Sequence, residues 1–298
     1  MTTLRVRFPY NEWPGWDVPE CTLTCVQLPN TADPPRKLVT ASVDTETFSD
    51  YCSDSPVFRA TLIEPPRKIN VVLKFALRED LIPSLAEEAC TYVGALKPLQ
   101  GKTVPVCYGL YAGAREDGQM IACLVLEYWG QCLRQPFRRQ PLNLKWVDYT
   151  LVCFGLRLYV SRTLRVYFFR LKILHQLGEL HRCGFHHGDF AERNILERNG
   201  DIRIIDFDEM TEHNCQCDMN FRPGEKMPDE QEFGCPHLWE LCRYSMKIWD
   251  LRMSFRFVWS NASYSLPLMN SLIPLYDKRV VSLPFIIYPS SLGISFVN

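Results

Sequence analysis

Glycine is missing from a long early stretch of the chain, between Gly15 and Gly94. A glycine-rich loop, whose backbone comes close enough to a phosphate to cradle it, is therefore excluded there. Small polar residues around Asp54 can still form a hairpin tip, but they allow less close backbone approach, and the carboxylate of Asp54 would repel a phosphate. Phosphate binding by this hairpin tip is accordingly expected to be weak.

The chain also lacks a charge excess, an apolar N-terminal segment and internal repeats. Its 298 residues carry a formal net charge of −1, which excludes the electrostatic footprint that nucleic acid or an anionic membrane would need. The start, Met1–Arg7, has no apolar h-region, so no secretory signal is expected. Thirteen cysteines without such a signal indicate reduced, mostly buried thiols and an intracellular protein, cytoplasmic or nuclear.

A predicted hairpin brings three polar residues together. Asn199-Gly200 is a strong two-residue turn signal, because both turn positions need positive φ. Folding about this turn places Asn194 nearly opposite Ile205, so Asp206 arrives beside Asn194 and both can bind one metal ion. Asp189 lies a few residues upstream, within reach of a substrate hydroxyl. A catalytic base with two hard oxygen ligands is what phosphoryl transfer needs.

The same motifs resemble those of the protein-kinase-like superfamily. His187-Gly188-Asp189 with Asn194, followed by Asp206-Phe207-Asp208, is closest to fungal protein-kinase-like proteins with His-Gly-Asp catalytic loops, and it is also similar to aminoglycoside and choline kinases. The resemblance covers roughly residues 55–250. It implies that Asp189 is the catalytic base, that Asn194 and Asp206 are the metal ligands, and that His187 holds the catalytic loop.

The resemblance also implies an α+β fold of two lobes, with a small antiparallel-sheet N-lobe that has one helix and a mainly helical, reduced C-lobe. The expected organisation is an extended lead-in at 1–37, the N-lobe at 38–130, the C-lobe at 131–259 and an irregular tail at 260–298. Prolines interrupt the apolar runs of the tail, so neither a long helix nor a central strand is expected there. Three arginines in the apolar stretch Tyr149–Phe169 favour a buried or partner-facing helix over a membrane span.

Lys74 is the candidate phosphate-binding lysine. It lies in the apolar strand Val71–Leu77, as the phosphate-binding lysine of the resembled family does. Its ion-pair partner is expected on the next helix, where Ser84 and Glu87 form a capping-box pattern. Glu88 is the preferred partner, because Glu87 is occupied by the cap and Glu88 lies on the apolar face of the helix.

A nucleotide hinge is expected after the buried strand Ile121–Leu126. The resemblance assigns adenine binding to the backbone around Glu127 and Trp129, and it implies ATP and Mg²⁺ as cofactors. The expected function is transfer of the γ-phosphoryl group of ATP to a hydroxyl of a protein Ser/Thr or of a small molecule. The alternative is a catalytically weak or inactive pseudokinase that acts as a binding or scaffold module, which the missing glycines favour. A nucleotide is thus the expected partner, and neither nucleic acid nor a membrane is.

Cysteines and histidines gather late in the chain and raise a zinc hypothesis. The residues concerned are Cys215, Cys217, Cys235, Cys242, His213 and His237. Their spacing is Cys-x-Cys and Cys-x-His, not the usual pair of Cys-x-x-Cys knuckles. The pattern therefore favours structural cysteines over a zinc site.

Overall fold

The structure is a computed structural model, and it describes residues 2–9, 19–29, 38–44, 55–64, 66–137, 149–153, 156–158, 162–221, 225–250 and 287–289. The predicted hairpin tip at Asp54 lies outside these residues, as does most of the predicted tail, residues 260–298. The chain divides into two units. The barrel unit consists of Met1–Arg134 and His175–Gln216, and the second unit of Gln135–Leu174 and Cys217–Asn298.

Seven strands of the barrel unit form one closed barrel. They are β1 Thr3–Arg7, β2 Glu20–Cys25, β3 Leu38–Val43, β4 Val57–Glu64, β5 Arg67–Ala76, β6 Cys107–Ala114 and β7 Met120–Glu127. Their order around the barrel is β1-β2-β6-β7-β5-β4-β3. Neighbours are antiparallel except β1 and β3, which pair in parallel. Because every strand has two neighbours, this sheet has no open edge.

The predicted two-lobed protein-kinase-like fold, with a small antiparallel sheet and a mainly helical C-lobe, is wrong. Residues of the predicted lead-in 1–37 form β1 and β2, and these two strands close the sheet into a barrel. Strand β1 alternates cleanly, with Leu4 and Val6 fully buried, but prolines and polar residues around it hid this pattern. Beyond Gly130 the described residues contain more strands than α-helices.

The barrel core sets the direction of the side chains on β5. Side chains alternate along a strand, so Val71, Leu73 and Phe75 enter the core, where each is at most 1% exposed. Phe58 packs edge-on against Phe75, with ring centroids 5.8 Å apart. Each such buried side chain contributes roughly 1.5–3 kcal/mol. Lys74 lies between two core residues and therefore points to the other face of the strand.

Helix α1, Ile82–Val93, packs against β6 and β7. Its buried face consists of Leu85, Glu88, Ala89 and Tyr92. The predicted capping box of Ser84 and Glu87 is wrong, because the helix begins at Ile82 and its N-cap residue makes no side-chain cap hydrogen bond. A proline in the first turn, Pro83, suits the helix start and moves it upstream of Ser84.

The predicted turn at Asn199-Gly200 is present. Both residues have positive φ, 54° and 83°, and they join β12, Ile195–Arg198, to β13, Asp201–Ile204. Beyond the paired strands the backbone N–H of Ile205 donates to the carbonyl of Asn194 at 3.0 Å. Asn194 therefore lies opposite Ile205, as predicted. On the other side, β12 pairs with β8, Gln131–Cys132.

A long helix leads into this region. Helix α2, Arg162–Arg182, ends just before β11, Phe185–His186, which pairs with β14, Thr211–Glu212. The turn between α2 and β11 has Gly184 at φ 88°, the left-handed conformation that commonly ends a helix. Within the described residues, no helix is both long and apolar enough to cross a membrane.

In the second unit, β10 Leu156–Leu158, β9 Tyr149–Cys153 and β15 Ile287–Pro289 form a sheet in that order. The first part of the stretch predicted to be a helix, Tyr149–Phe169, is thus strand. Strand β15 is an edge strand, which its proline permits. The unit also contains α3, Glu230–Phe233, and α4, Pro236–Glu240.

Candidate active site

An ion-pair network centres on Lys74 of β5. Its Nζ lies 2.8 Å from Oε2 of Glu88 on α1 and 2.6 Å from Oδ1 of Asp206, which follows β13. The Glu88 side chain is 2% exposed, whereas that of Asp206 is 32% exposed. The predicted ion pair between Lys74 and Glu88 is therefore present, and Lys74 has in Asp206 a second, more accessible carboxylate.

Burial and charge act against each other in this network. Burial raises the pKa of the Glu88 carboxyl, and the Lys74 ammonium offsets part of this increase. Burial alone would lower the pKa of Lys74, but the carboxylates of Glu88 and Asp206 outweigh it and raise that pKa above its ordinary value. Lys74 therefore stays protonated at physiological pH.

Asp206 has an unusual backbone conformation. Its φ is 71°, in the left-handed region, which costs of order 1 kcal/mol for a residue other than glycine. The next residue, Phe207, is 2% exposed and packs against Tyr92 and His187, with ring centroids at 5.4 and 5.1 Å. Anchoring of Phe207 in this apolar site holds the strained conformation that turns the Asp206 carboxylate toward Lys74.

His187 links the start of the loop 187–194 to the segment of Asp206. It is fully buried, and its Nε2 lies 3.0 Å from the carbonyl oxygen of Ile205, the residue before Asp206. Burial lowers the pKa of His187, so the ring is neutral at physiological pH and Nε2–H donates to that carbonyl. The geometry fits the predicted role of a residue that holds the loop.

Asn194 and Asp189 form a second polar pair. Nδ2 of Asn194 donates to the backbone carbonyl of Asp189 at 2.8 Å and to its Oδ2 at 3.1 Å. The Asn194 side chain is buried, so these contacts fix its orientation. Since Nδ2 makes both hydrogen bonds, Oδ1 is the atom of this amide that can bind a cation.

Arg193 is a residue of the site that the sequence reasoning missed. Its Nη2 lies 2.7 and 2.5 Å from the two carboxylate oxygens of Asp189. The Arg193 side chain is 67% exposed, and exposed pairs of this kind are typically worth less than about 1 kcal/mol. The i, i+4 spacing of Asp189 and Arg193 was the signal in the sequence. The pair is therefore weak enough for Arg193 to leave Asp189.

Gly188 has a steric reason to be glycine. Its φ is 79°, and a Cβ there would collide with the carbonyl oxygen of Glu209. The segment after Asp206 thus passes too close to the loop 187–194 for any side chain at position 188. This contact explains why the residue between His187 and Asp189 is glycine.

Glu127 and Trp129 lie in a different network, centred on Arg203. The Glu127 carboxylate pairs with the Arg203 guanidinium and accepts from the N–H of Val106 at 3.1 Å. The guanidinium lies 4.4 Å from the centroid of the Trp129 ring. The backbone N–H of Glu127 donates to the Val106 carbonyl at 2.8 Å, so adenine binding by that N–H is ruled out in this state. The hinge role of Glu127 and Trp129 stays a prediction.

No protein-family model matches this chain, and no curated protein sequence matches it. What the site does must therefore be argued from its geometry. The structure gathers Lys74, Glu88 and Asp206 in one network and Asp189 with Asn194 in another. The hydrogen bond from Ile205 to Asn194 links the two.

Proposed function

We propose that this protein is an ATP- and Mg²⁺-dependent phosphotransferase that transfers the γ-phosphoryl group to a hydroxyl acceptor. The observation that carries the proposal is the Lys74 ammonium held between a buried carboxylate, Glu88, and an accessible one, Asp206. A fixed cation beside an accessible carboxylate is suited to a ligand that combines phosphates with a divalent metal.

The donor set fits Mg²⁺. The carboxylate of Asp206 and Oδ1 of Asn194 are hard oxygen ligands on two segments that a backbone hydrogen bond holds together. When bound, Mg²⁺ would neutralise charge on the phosphates. Lys74 would orient the phosphates by its charge, and Glu88 would keep the lysine in position when Asp206 turns to the metal.

Asp189 is the proposed base. Its carboxylate would accept a hydrogen bond, and then the proton, from the acceptor hydroxyl as that oxygen attacks the γ-phosphorus of ATP. The bond from this phosphorus to the β–γ bridging oxygen would break, and ADP would leave. Asn194 fixes this carboxylate through Nδ2 at 3.1 Å. Arg193 must leave Asp189 for the acceptor to bind, and its guanidinium is then free to contact the phosphoryl oxygens.

A second candidate function is a binding or scaffold module that does not catalyse transfer. Two observations favour it: no glycine lies between Gly15 and Gly94, and the Arg193 guanidinium covers both oxygens of Asp189. On this proposal the two networks serve stability and partner recognition only.

Nucleotide binding can be tested by thermal-shift titration with ATP, with and without Mg²⁺. Wild-type protein should be stabilised by ATP, and more so with Mg²⁺, whereas Asp206→Asn should lose the Mg²⁺-dependent part of that shift. The matched control is Asp117→Asn in an exposed turn, where the side-chain oxygen that accepts from Gln119 is kept. A wild type that no nucleotide stabilises would count against both ATP binding and transfer.

Transfer can be tested with γ-labelled ATP and a panel of alcohols and Ser/Thr peptides. Asp189→Asn should lower the rate by about 10²–10⁴-fold while leaving the ATP-dependent thermal shift in place. Retained nucleotide binding with no transfer to any acceptor in wild type would support the scaffold module.

The state of the cysteines is evidence on the cellular compartment of the protein. Among the described residues, eleven cysteines form no disulfide bond. Reduced cysteines in this number support our proposal of a reducing, intracellular environment.

A further inference from the structure

We propose that His181, His213 and Cys215 form a binding site for a soft divalent cation of the Zn²⁺ class. One ligand atom from each residue lies within 4.8 Å of those of the other two. The three residues belong to the barrel unit and are distinct from the residues of the candidate active site. The sequence pattern alone gave two of them, His213 and Cys215, and missed His181.

Local structure brings these residues together across a wide sequence separation. His181 is in the last turn of α2, whereas His213 and Cys215 follow β14. Pairing of β11 with β14 and a hydrogen bond from the His213 N–H to the Gly184 carbonyl at 2.8 Å hold the two segments side by side. The cluster is thus fixed by backbone contacts, and its ligands do not depend on a long mobile loop.

The ligand types match the proposed cation. Imidazole nitrogen and thiolate sulfur are the preferred ligands of zinc in proteins, at about 2.0–2.1 and 2.3 Å from the metal. In a tetrahedral site such bonds put the ligand atoms about 3.3–3.8 Å apart. The observed separations, all within 4.8 Å, can contract to these values through side-chain rotation. A ligand outside these three residues would occupy the fourth coordination position.

Burial also favours a bound cation. His181 is 2% exposed, and its ring packs against those of His213 and His186, with centroids 4.8 and 5.9 Å away. This packing holds the His181 ring in one place before a cation binds.

The site has a structural consequence for the catalytic loop. His186, at the end of β11, immediately precedes His187. A cation that joins the end of α2 to the segment after β14 would hold β11 and β14 together. The loop that contains His187 begins directly after β11. The proposal does not depend on phosphoryl transfer, since metal content can be measured in a protein that transfers nothing.

The direct test is the metal content of the full chain, produced without a histidine tag in zinc-supplemented medium and measured by mass spectrometry. We expect about one zinc per chain in wild type and loss of most of it in Cys215→Ser and His213→Gln. The matched controls are Cys183→Ser, a thiol near the same helix end, and His186→Gln, the neighbouring imidazole outside the ligand set; both should keep the metal. Less than about a tenth of an equivalent in wild type, or equal loss in ligand and control variants, would overturn the proposal.

A second measurement needs no variant and therefore covers the case in which a substitution prevents folding. Cobalt(II) exchanged into wild type should give a thiolate-to-cobalt charge-transfer band in the near ultraviolet. Native alkylation with N-ethylmaleimide should spare Cys215 in the zinc-loaded protein and modify it after chelation. Equal alkylation of Cys215 in both states, or a cobalt spectrum without the thiolate band, would exclude this cysteine as a ligand and with it the proposal.

Discussion

Two cation–carboxylate networks of the barrel unit differ in how their charges are held. Arg203 is 7% exposed and is fixed between the Glu127 carboxylate and the face of Trp129. Lys74 instead shares its charge with Asp206, whose side chain is 32% exposed and whose backbone is strained. The first network uses a planar guanidinium that fits one arrangement of partners, and the second uses a point charge that can exchange one partner for another.

The Arg203 charge is therefore held by the fold, whereas the Lys74 charge can be shared with a ligand. Glu88 would keep Lys74 paired if Asp206 turned toward a metal ion, because the Glu88 side chain is buried and 2.8 Å away. Glu127 has no such freedom, since it also accepts from the backbone of Val106. Comparing the two networks by substitution therefore distinguishes effects on chemistry from effects on stability.

The largest expected effect is on transfer, in Lys74→Met. If Lys74 orients the phosphates as proposed, removing its charge should lower the rate per folded molecule by about 10³-fold. The rate with γ-labelled ATP, corrected for the folded fraction from circular dichroism, measures this. Lys68→Met, an exposed lysine on the same strand, is the control and should keep the wild-type rate. An unchanged rate in Lys74→Met would show that the Lys74 network, like the Arg203 network, does not act in transfer.

The next effect is on stability, in Arg203→Met. The Glu127 carboxylate, whose side chain is 22% exposed, then loses its cation, which should lower the free energy of unfolding by about 2 kcal/mol. Urea denaturation measures the change. Arg198→Met, at an exposed position of the same hairpin, should change stability by less than about 0.5 kcal/mol. Similar losses of stability in both variants would show that the contacts of Arg203 with Glu127 and Trp129 do not stabilise the fold.

A pair of glycine substitutions tests the close approach of the Glu209 carbonyl to the loop 187–194. Gly188→Ala places a Cβ against the Glu209 carbonyl at positive φ, and it should cost about 2 kcal/mol and most of the transfer activity. Gly184→Ala also has positive φ, 88°, but nothing lies within 4 Å of its added Cβ.

Gly184→Ala should therefore show only the conformational cost, about 1 kcal/mol, and keep the activity. Thermal and urea unfolding of the two variants give the difference. Equal destabilisation of Gly188→Ala and Gly184→Ala would mean that the Glu209 carbonyl moves away from the added Cβ at little cost.

The smallest effect concerns pH and His187. Burial lowers the pKa of His187, so below about pH 6.5 the unfolded chain binds a proton at this site that the folded protein does not. Its contribution to stability is complete above that pH and is lost as the pH falls toward the lowered pKa, by at most about 1.4 kcal/mol per pH unit. Urea unfolding at several pH values should show a shallower decline in His187→Gln, and an identical decline would contradict the assignment.

Local features of the site could be predicted from the sequence, and the topology could not. The turn at Asn199-Gly200 and the strand and helix that carry Lys74 and Glu88 depend on short-range patterns, and each has a clear period or turn signal. The parallel pairing of β1 with β3 is a long-range event with no local signature, so the closed barrel was missed.

The remaining errors have individual causes. The capping box at Ser84 was wrong because Pro83 suits the first turn of a helix that begins earlier. The contact of Arg193 with Asp189 was missed because an i, i+4 spacing brings side chains together reliably only within a helix, and Asp189 lies in a loop. The steric demand at Gly188 depends on the path of the chain at Glu209, which no spacing in the sequence reveals.

The most direct test of the central claim is calorimetric titration of ATP into wild type and Asp206→Asn, with and without Mg²⁺. If Lys74 holds the phosphates and Asp206 holds the metal, wild type binds one ATP and Mg²⁺ tightens binding by roughly tenfold. Asp206→Asn should still bind ATP but lose that gain. No binding to wild type, or the same Mg²⁺ dependence in both proteins, would contradict the account.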